Sequence, residues 1–159
     1  MPSPSWPPRW LPSPSPRRVD PVTARLPGSP EPGPDEPPIP DEERESAWGL
    51  LRRAEALLLR RHDAQAVILL ERADRLAPGQ ASIVEALARA AYNGGRLERA
   101  EAAFDELVRI DPASAYGRYG LAQVYRRSGR AAEARTQLRL ACALAPDSAL
   151  YREALLRLG

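Results

Sequence analysis

Few side chains in this sequence have the types and spacing that catalysis requires. The 159 residues include one histidine, His62, and one cysteine, Cys142, so a metal cluster or a nucleophile with a histidine base would lack partners. Glu101 and Asp105 stand four residues apart, which places both carboxylates on one face of a helix, alongside arginines. We interpret His62 as a turn residue, Cys142 as a packing residue and the carboxylates as solvated surface. We therefore expect no enzymatic activity, no metal and no cofactor, unless a partner completes a site.

The charged residues are nearly balanced and unusual in type. All 23 basic residues are arginine, and with 21 acidic residues the formal net charge is +2. A charge so close to balance does not by itself indicate a nucleic-acid partner. The absence of lysine, with heavy use of alanine, proline and glycine, indicates a high-GC bacterial genome.

The sequence contains no segment that indicates a membrane or a secretory route. No apolar run approaches the roughly 18 residues of a membrane helix. The first residues, "MPSPSWPPRWLPSPSPRRV", lack the apolar core of a secretory signal. We expect a cytoplasmic protein without membrane insertion.

Proline divides the chain into two regions. Fifteen of the 18 prolines lie in residues 1–40, where missing amide donors and restricted backbone predict a disordered tail with polyproline II character. Residues 27–46 carry seven acidic residues against one arginine, Arg44. The acidic run from Asp41 predicts the first turn of a helix, where negative charge is favoured. We assign residues 41–159 to a folded domain.

The remaining prolines mark a repeat. Pro78, Pro112 and Pro146 are 34 residues apart both times, which divides the chain without insertions into units 47–80, 81–114 and 115–148. Positions 8 and 20 of every unit are small, and position 24 is large and apolar. These positions hold Ala54, Ala88 and Ala122, then Ala66, Ala100 and Ala134, then Leu70, Phe104 and Leu138. Such offsets place apolar stripes on two helices that can approach closely.

Turn signals separate the two helices of each unit. Glycine occurs in "NGG" at 93–95 and "SGR" at 128–130, where it can adopt the left-handed conformation that ends a helix. Unit one has "RRHD" instead, with Asp63 as the expected cap of its second helix. Between units, Pro112 ends one helix and Ser114 caps the next.

The pattern resembles the tetratricopeptide repeat (TPR) family over residues 47–148. The resemblance implies an all-α fold: a right-handed α-solenoid of three helix-turn-helix units, with residues 149–159 similar to a capping helix. Position 4, usually aromatic in the family, holds Leu50, Val84 and Arg118. At position 7 of unit one, Arg53 fits the polar outer face of a first repeat.

The resemblance also implies a non-enzymatic interaction module or adaptor that holds a partner segment in a concave groove. The groove residues that it implies lie on the first helix of each unit: Trp48, Leu51, Arg52, Glu55, Glu85, Arg89, Tyr92, Asn93, Tyr116, Tyr119, Gln123, Arg126 and Arg127. The carboxylate clamp of co-chaperone relatives would fall on Leu51, Glu55, Ala86, Tyr116 and Gly120. That clamp is therefore absent.

The groove composition indicates the kind of partner without naming it. Tyrosine and arginine often anchor interfaces, so we expect a protein or peptide segment with acidic and apolar residues. One alternative is RNA or another polyanion bound through the arginines, with steep salt dependence. Another is a solvated arginine-rich surface. Neither the partner nor the oligomeric state follows from the sequence.

The tail leaves three interpretations open. In the first, the tail is a spacer or an over-extended gene start. In the second, its P-x-x-P matches "PSWP" and "PDEP" dock into an SH3-type groove of another protein. In the third, the tail binds the protein itself. In the last case, Trp6 or Trp10 would fold back onto the tyrosine-rich groove.

Overall fold

The computed structural model describes residues 46–158, and the predicted tail, residues 1–40, lies outside this range. The described part of the chain is all α-helical, as predicted, with no strand. Its helices are α1 (Ala47–Leu59), α2 (Asp63–Leu76), α3 (Ala81–Asn93), α4 (Leu97–Ile110), α5 (Ala115–Arg127), α6 (Ala131–Leu144) and α7 (Ala149–Leu156). None of them is long and apolar enough to cross a membrane.

The helices form a right-handed solenoid of three helix pairs followed by α7. Within the pairs, α1 packs on α2, α3 on α4 and α5 on α6, and successive units join through α2–α3, α4–α5 and α6–α7. The first helices are also neighbours, because α1 contacts α3 and α3 contacts α5. Every helix of the three units begins and ends at the same repeat position, so the proline spacing identified the true register.

Small residues let the two helices of each unit approach. The alanines at positions 8 and 20 have no exposed surface in any of the three units, and the apolar residue at position 24 is at most 1% exposed. At one junction the contact is closer still. A Cβ atom added to Gly120 of α5 would lie 2.2 Å from the ring of Phe104 in α4, so only glycine leaves room for that ring.

The glycine turns adopt the predicted backbone. Gly95 has φ 74° and Gly129 has φ 76°, the left-handed conformation that ends α3 and α5. Arg61 takes the equivalent place in unit one with φ 65°, although a side chain in that region costs roughly 1–2 kcal/mol. The fold therefore imposes one turn geometry on all three units, whatever residue stands there.

Serine caps begin three of the first helices. Ser114 Oγ accepts a hydrogen bond from the Gly117 amide at 3.0 Å, as predicted, and Ser148 Oγ accepts one from Tyr151 at 3.5 Å. Ser46 Oγ likewise accepts from Gly49 at 3.0 Å. The acidic first turn that we predicted from Asp41 lies outside the described residues, and the helix α1 that the structure describes begins at Ala47 after this cap.

The expected Asp63 cap is wrong by one position. Asp63 is the first residue of α2, and His62 precedes it without a side-chain capping bond. Because Arg61 occupies the left-handed turn position, the chain enters the helix one residue earlier than the cap assignment required. The Asp63 carboxylate instead lies in the first turn, where the helix dipole favours it.

The two ends of the solenoid differ in how they face solvent. At position 7, Leu87 and Leu121 are each 1% exposed, whereas Arg53 of the first unit is exposed. At the other end, α7 packs on α6 with Tyr151 buried. Arg135 of α6 donates a hydrogen bond to the backbone carbonyl of Leu158, which holds the end of α7 against the last pair.

Candidate binding groove

The predicted groove residues lie on the adjacent helices α1, α3 and α5, on a side that we call the groove face. Eight of the thirteen keep accessible side chains and five are buried in the chain itself. The accessible ones are Trp48, Arg52, Glu55, Glu85, Arg89, Asn93, Arg126 and Arg127. The buried ones are Leu51, Tyr92, Tyr116, Tyr119 and Gln123, each at most 7% exposed. The first set can contact a ligand directly, and the second forms the floor beneath it.

The floor is built mainly from tyrosine rings. Tyr116 packs edge-on against Phe104, with ring centroids 6.4 Å apart. Tyr119 contacts Tyr151 of α7 with centroids 5.1 Å apart. Burial raises the pKa of Tyr119 to about 12 and the pKa of Tyr116 well above its ordinary value. Both hydroxyls therefore stay protonated at neutral pH and can donate hydrogen bonds.

Tyr151 is a floor residue that sequence reasoning missed. The capping segment has no partner helix, so no groove role was assigned to it. The signal was available, because α7 continues the repeat register and Tyr151 stands at position 3, where Ile83 of unit two is also buried.

Three arginines surround one end of this floor. Arg127 Nη1 donates to the Tyr92 carbonyl at 3.0 Å, and its guanidinium lies 4.8 Å from the Tyr92 ring centroid. Burial raises the Tyr92 pKa, while the charges of Arg127 and Arg126 lower it. The charges of Arg126 and Arg157 likewise lower the pKa of Tyr119. Arg126, Arg127 and Arg157, which we call the arginine cluster, thus lie near enough to Tyr92 or Tyr119 to lower the pKa of one or both, and Arg157 is a member that sequence reasoning missed.

The middle of the groove face carries mixed charge. Burial raises the pKa of the Glu85 carboxyl. The nearby charge of Arg89 lowers this pKa, and the charge of Glu55 raises it. Arg89 also lowers the pKa of Tyr116. The carboxylates here are partly neutralised within the chain, in contrast to the arginine cluster.

The α1 end of the groove face carries exposed apolar side chains beside the charged Arg52 and Glu55. Trp48 is 63% exposed and Leu59 is 87% exposed, although α1 buries Leu51 and Leu58. Such large apolar side chains in water favour a partner that covers them. The exposed apolar side chains of the face therefore lie at α1, whereas the arginine cluster lies at α5 and α7.

The carboxylate candidates outside the groove have a structural role. Arg130 is the N-cap residue of α6. Its Nη1 donates to both carboxylate oxygens of Glu101, at 2.9 and 3.0 Å, and the guanidinium also donates to Glu133. Its guanidinium lies 4.2 Å from the Tyr125 ring centroid. Glu101 thus belongs to an ion pair between units rather than to free solvated surface. Within residues 46–158, no three His, Cys, Asp or Glu side chains are grouped to hold a metal ion.

Comparison with known proteins agrees with this geometry. The family model described as "Tetratricopeptide repeat" matches residues 85–149. The described helices have the tetratricopeptide repeat fold. No curated protein sequence matches the chain, so solved structures provide the remaining comparisons.

The solved structures share the TPR fold at low sequence identity. The Arabidopsis OM64 TPR domain superposes with a TM-score of 0.69 and 20% identity, over 72% of this chain and 94% of that one. The first TPR of Spaghetti (RPAP3), bound to the HSP90 peptide SRMEEVD, gives 0.68 and 12%, over 72% and 90%. YrrB, described as a TPR protein with an unusual peptide-binding site, gives 0.67 and 21%, over 69% and 56%.

Proposed function

We propose that the TPR domain is a non-enzymatic adaptor that binds a peptide segment of a partner protein on its groove face. The observation that carries the proposal is the arginine cluster over the tyrosine floor. Arg126, Arg127 and Arg157 supply charge and planar donor groups that suit carboxylates. The protonated Tyr119 hydroxyl adds a neutral donor.

The two ends of the groove face select different side chains of such a peptide. Acidic residues bind at the arginine cluster, and large apolar residues pack on Trp48 or on Leu59. Two fold relatives support this mode, since Spaghetti binds an HSP90 peptide and YrrB has a peptide-binding site. The ligand is not an HSP90-type tail, because the clamp positions here hold Leu51, Glu55, Ala86, Tyr116 and Gly120.

Display panning on the immobilised full-length protein tests the proposal. Random 12-residue peptides should be enriched for sequences that combine acidic and large apolar side chains. Arg126→Gln/Arg127→Gln should reduce the affinity of the selected peptides at least tenfold, because it removes two charges at the binding site. The matched control Arg75→Gln/Arg139→Gln removes two exposed arginines of α2 and α6 and should retain full affinity.

Two outcomes would contradict the assignment. Equal loss in the matched control would mean that only net charge matters. Tighter binding of single-stranded RNA than of any selected peptide, falling steeply with salt, would favour the polyanion alternative. A net charge of +2 and the Glu55–Glu85 pair on the groove face favour the peptide.

The domain organisation is part of the same proposal. Residues 1–40 form a disordered tail, and residues 41–159 form the TPR domain with repeats 47–80, 81–114 and 115–148 and capping helix 149–159. Limited proteolysis should cut first before residue 46, and early cleavage inside a repeat would contradict these bounds. We also propose a cytoplasmic location in a high-GC bacterium, which fractionation of the source cells would test.

A further inference from the structure

A cleft lies between α6 and α7, away from the groove face, and we call it the α6–α7 cleft. It has a volume of about 460 Å³ and is lined by Arg135 and Arg139 of α6 and by Leu155 and Leu156 of α7. This volume is within the range of ligand sites in proteins. Two arginines beside two leucines suit a ligand that is acidic in one part and apolar in another.

Leu156 marks the side of α7 on which a helix would pack. Because α7 continues the repeat register, Leu156 stands at position 8, which holds Ala54, Ala88 and Ala122 in the three units. Those alanines have no exposed surface, since the second helix of each unit packs on them. Leu156 is 80% exposed, so no helix of residues 46–158 covers it.

Ion pairs join the second helices at both junctions between units. Glu71, at position 25 of unit one, accepts a hydrogen bond from Arg99 Nε of α4 at 3.1 Å. Glu101, at position 21 of unit two, accepts two hydrogen bonds from Arg130 Nη1 at 2.9 and 3.0 Å. At each junction the earlier second helix supplies the carboxylate, and the beginning of the next second helix supplies the arginine.

In unit three the same two positions hold arginine. Arg135 stands at position 21 and Arg139 at position 25, one helical turn apart. Arg135 donates to the Leu158 carbonyl, whereas Arg139 is exposed and makes no hydrogen bond or ion pair within residues 46–158. Because the charge at these positions is reversed, a helix that packs here would pair with them through carboxylates at its beginning. The helix dipole also favours negative charge there.

We propose that the α6–α7 cleft binds an amphipathic helix of a partner protein, with carboxylates in its first turn and an apolar stripe along one face. The carboxylates pair with Arg139 and Arg135, and the stripe covers Leu155 and Leu156. The bound helix takes the place, relative to α7, that the second helix takes in each of the three units. This inference goes beyond the proposed function and does not rest on it, because the cleft is separate from the groove face.

Designed helical peptides of about 20 residues, enough for an isolated helix, test the proposal with the full-length protein. Three peptides share one leucine stripe and differ in charge: glutamates in the first turn, arginines in the first turn, or glutamates in the last turn. Fluorescence anisotropy should show the tightest binding for the first-turn glutamate peptide. That peptide should shift the amide signals of Arg139, Leu155 and Leu156 and leave that of Tyr119 unchanged. Equal affinities, no binding, or shifts confined to the groove face would overturn the proposal.

Arg139→Glu tests the charge preference without disturbing the fold, because this side chain has no partner within residues 46–158. It should weaken the first-turn glutamate peptide about fivefold or more and make the first-turn arginine peptide the tighter ligand. The matched control Arg75→Glu reverses an exposed arginine of α2 and should keep the original order of affinities. An unchanged order in Arg139→Glu, or an exchanged order in the control, would contradict the assignment.

Leu156→Gln tests the apolar contact. It should weaken the first-turn glutamate peptide roughly tenfold, because a leucine side chain is no longer buried on binding. The matched control Leu59→Gln changes a leucine of α1 that is 87% exposed and should retain full affinity. Equal loss in both variants would show that the peptide binds exposed leucine wherever it occurs, which would refute the cleft.

Two further measurements separate the alternatives. The groove variant Arg126→Gln/Arg127→Gln should bind the helical peptide as the native chain does, so the cleft and the proposed function can fail independently. Sedimentation of the protein alone identifies a second copy as the occupant. A monomer agrees with a partner protein, whereas a dimer that Leu156→Gln dissociates would mean that another copy of this chain fills the cleft, and the proposal would be wrong.

Discussion

Single glycines and one arginine determine how this chain turns and packs. Gly120 admits the buried ring of Phe104 against α5, whereas Gly95 and Gly129 supply left-handed turns. Arg61 adopts the same backbone without glycine's freedom. At Gly120 the size of the side chain is limited by neighbouring atoms. At Gly95, Gly129 and Arg61 the choice of residue is limited by the left-handed backbone, so the two kinds of position respond to substitution differently.

Gly120→Ala should destabilise the domain even though alanine is the better helix former. The helical gain is about 1 kcal/mol, but the new Cβ would overlap a ring that has no exposed surface and cannot move aside. Because overpacking of that kind costs typically about 1–3 kcal/mol, we expect a net loss of up to about 2 kcal/mol in urea unfolding. Adding Phe104→Leu should recover part of the loss, and additive effects of the two changes would refute the contact.

Arg61→Gly should stabilise the domain. Relief of the left-handed arginine gains roughly 1–2 kcal/mol, and the greater freedom of glycine in the unfolded chain returns about 0.5–1 kcal/mol of it. The expected net gain is about 0.5–1 kcal/mol, measured by thermal or urea unfolding. The converse change, Gly129→Arg, should move stability in the opposite direction, and a shift of the same sign in both variants would rule out this explanation.

At the scale of the helix, the first helices differ in their caps. Ser46, Ser114 and Ser148 each accept a hydrogen bond from an amide in the first turn. Gln80 stands at the same position before α3 and makes no side-chain capping bond. The central helix of the groove face therefore begins with less support than its neighbours.

Gln80→Ser should stabilise the domain by supplying the missing cap. Serine at this position is worth typically about 1 kcal/mol over a residue that cannot cap, so the urea midpoint should rise. Ser114→Ala provides the matched loss, of similar size, at the next unit. No change in either variant would show that these caps contribute nothing to stability.

At the scale of the whole molecule, the tyrosines link the fold to pH. All five tyrosines of the chain have raised pKa values, chiefly because burial disfavours the phenolate. The chain contains no lysine, and arginine stays charged in this range. Tyrosine ionisation should therefore dominate the alkaline response.

Below pH 10 the tyrosines should not change the unfolding free energy as the pH varies. Between about pH 10 and 12 the unfolding free energy should fall. The unfolded tyrosines lose protons near pH 10, while folded Tyr119 keeps its proton to about pH 12, so the unfolded state binds fewer protons across this window. Each such tyrosine lowers the unfolding free energy by about 1.4 kcal/mol per pH unit. Urea unfolding at pH 8, 10 and 11 measures the slope, and a flat profile would show that the tyrosines are exposed.

The repeat alone predicted most of the fold. Three prolines at equal spacing, with alanines and a large apolar residue at constant offsets, determine where helices begin, end and touch, because those features act within one or two turns. The Asp63 cap was wrong for a local reason as well, because the left-handed turn at Arg61 puts His62 at the cap position and Asp63 inside the helix.

By itself, the sequence determined the helical register, the turn glycines and the residues available to a groove. Tertiary structure decided which of those residues face water. It buried Tyr92, Tyr116 and Tyr119 as a floor, brought Tyr151 and Arg157 from α7 beside them, and joined Glu101 to Arg130 across two units. Periodicity specifies the face of one helix, whereas exposure and charge at a point depend on side chains that arrive from other helices.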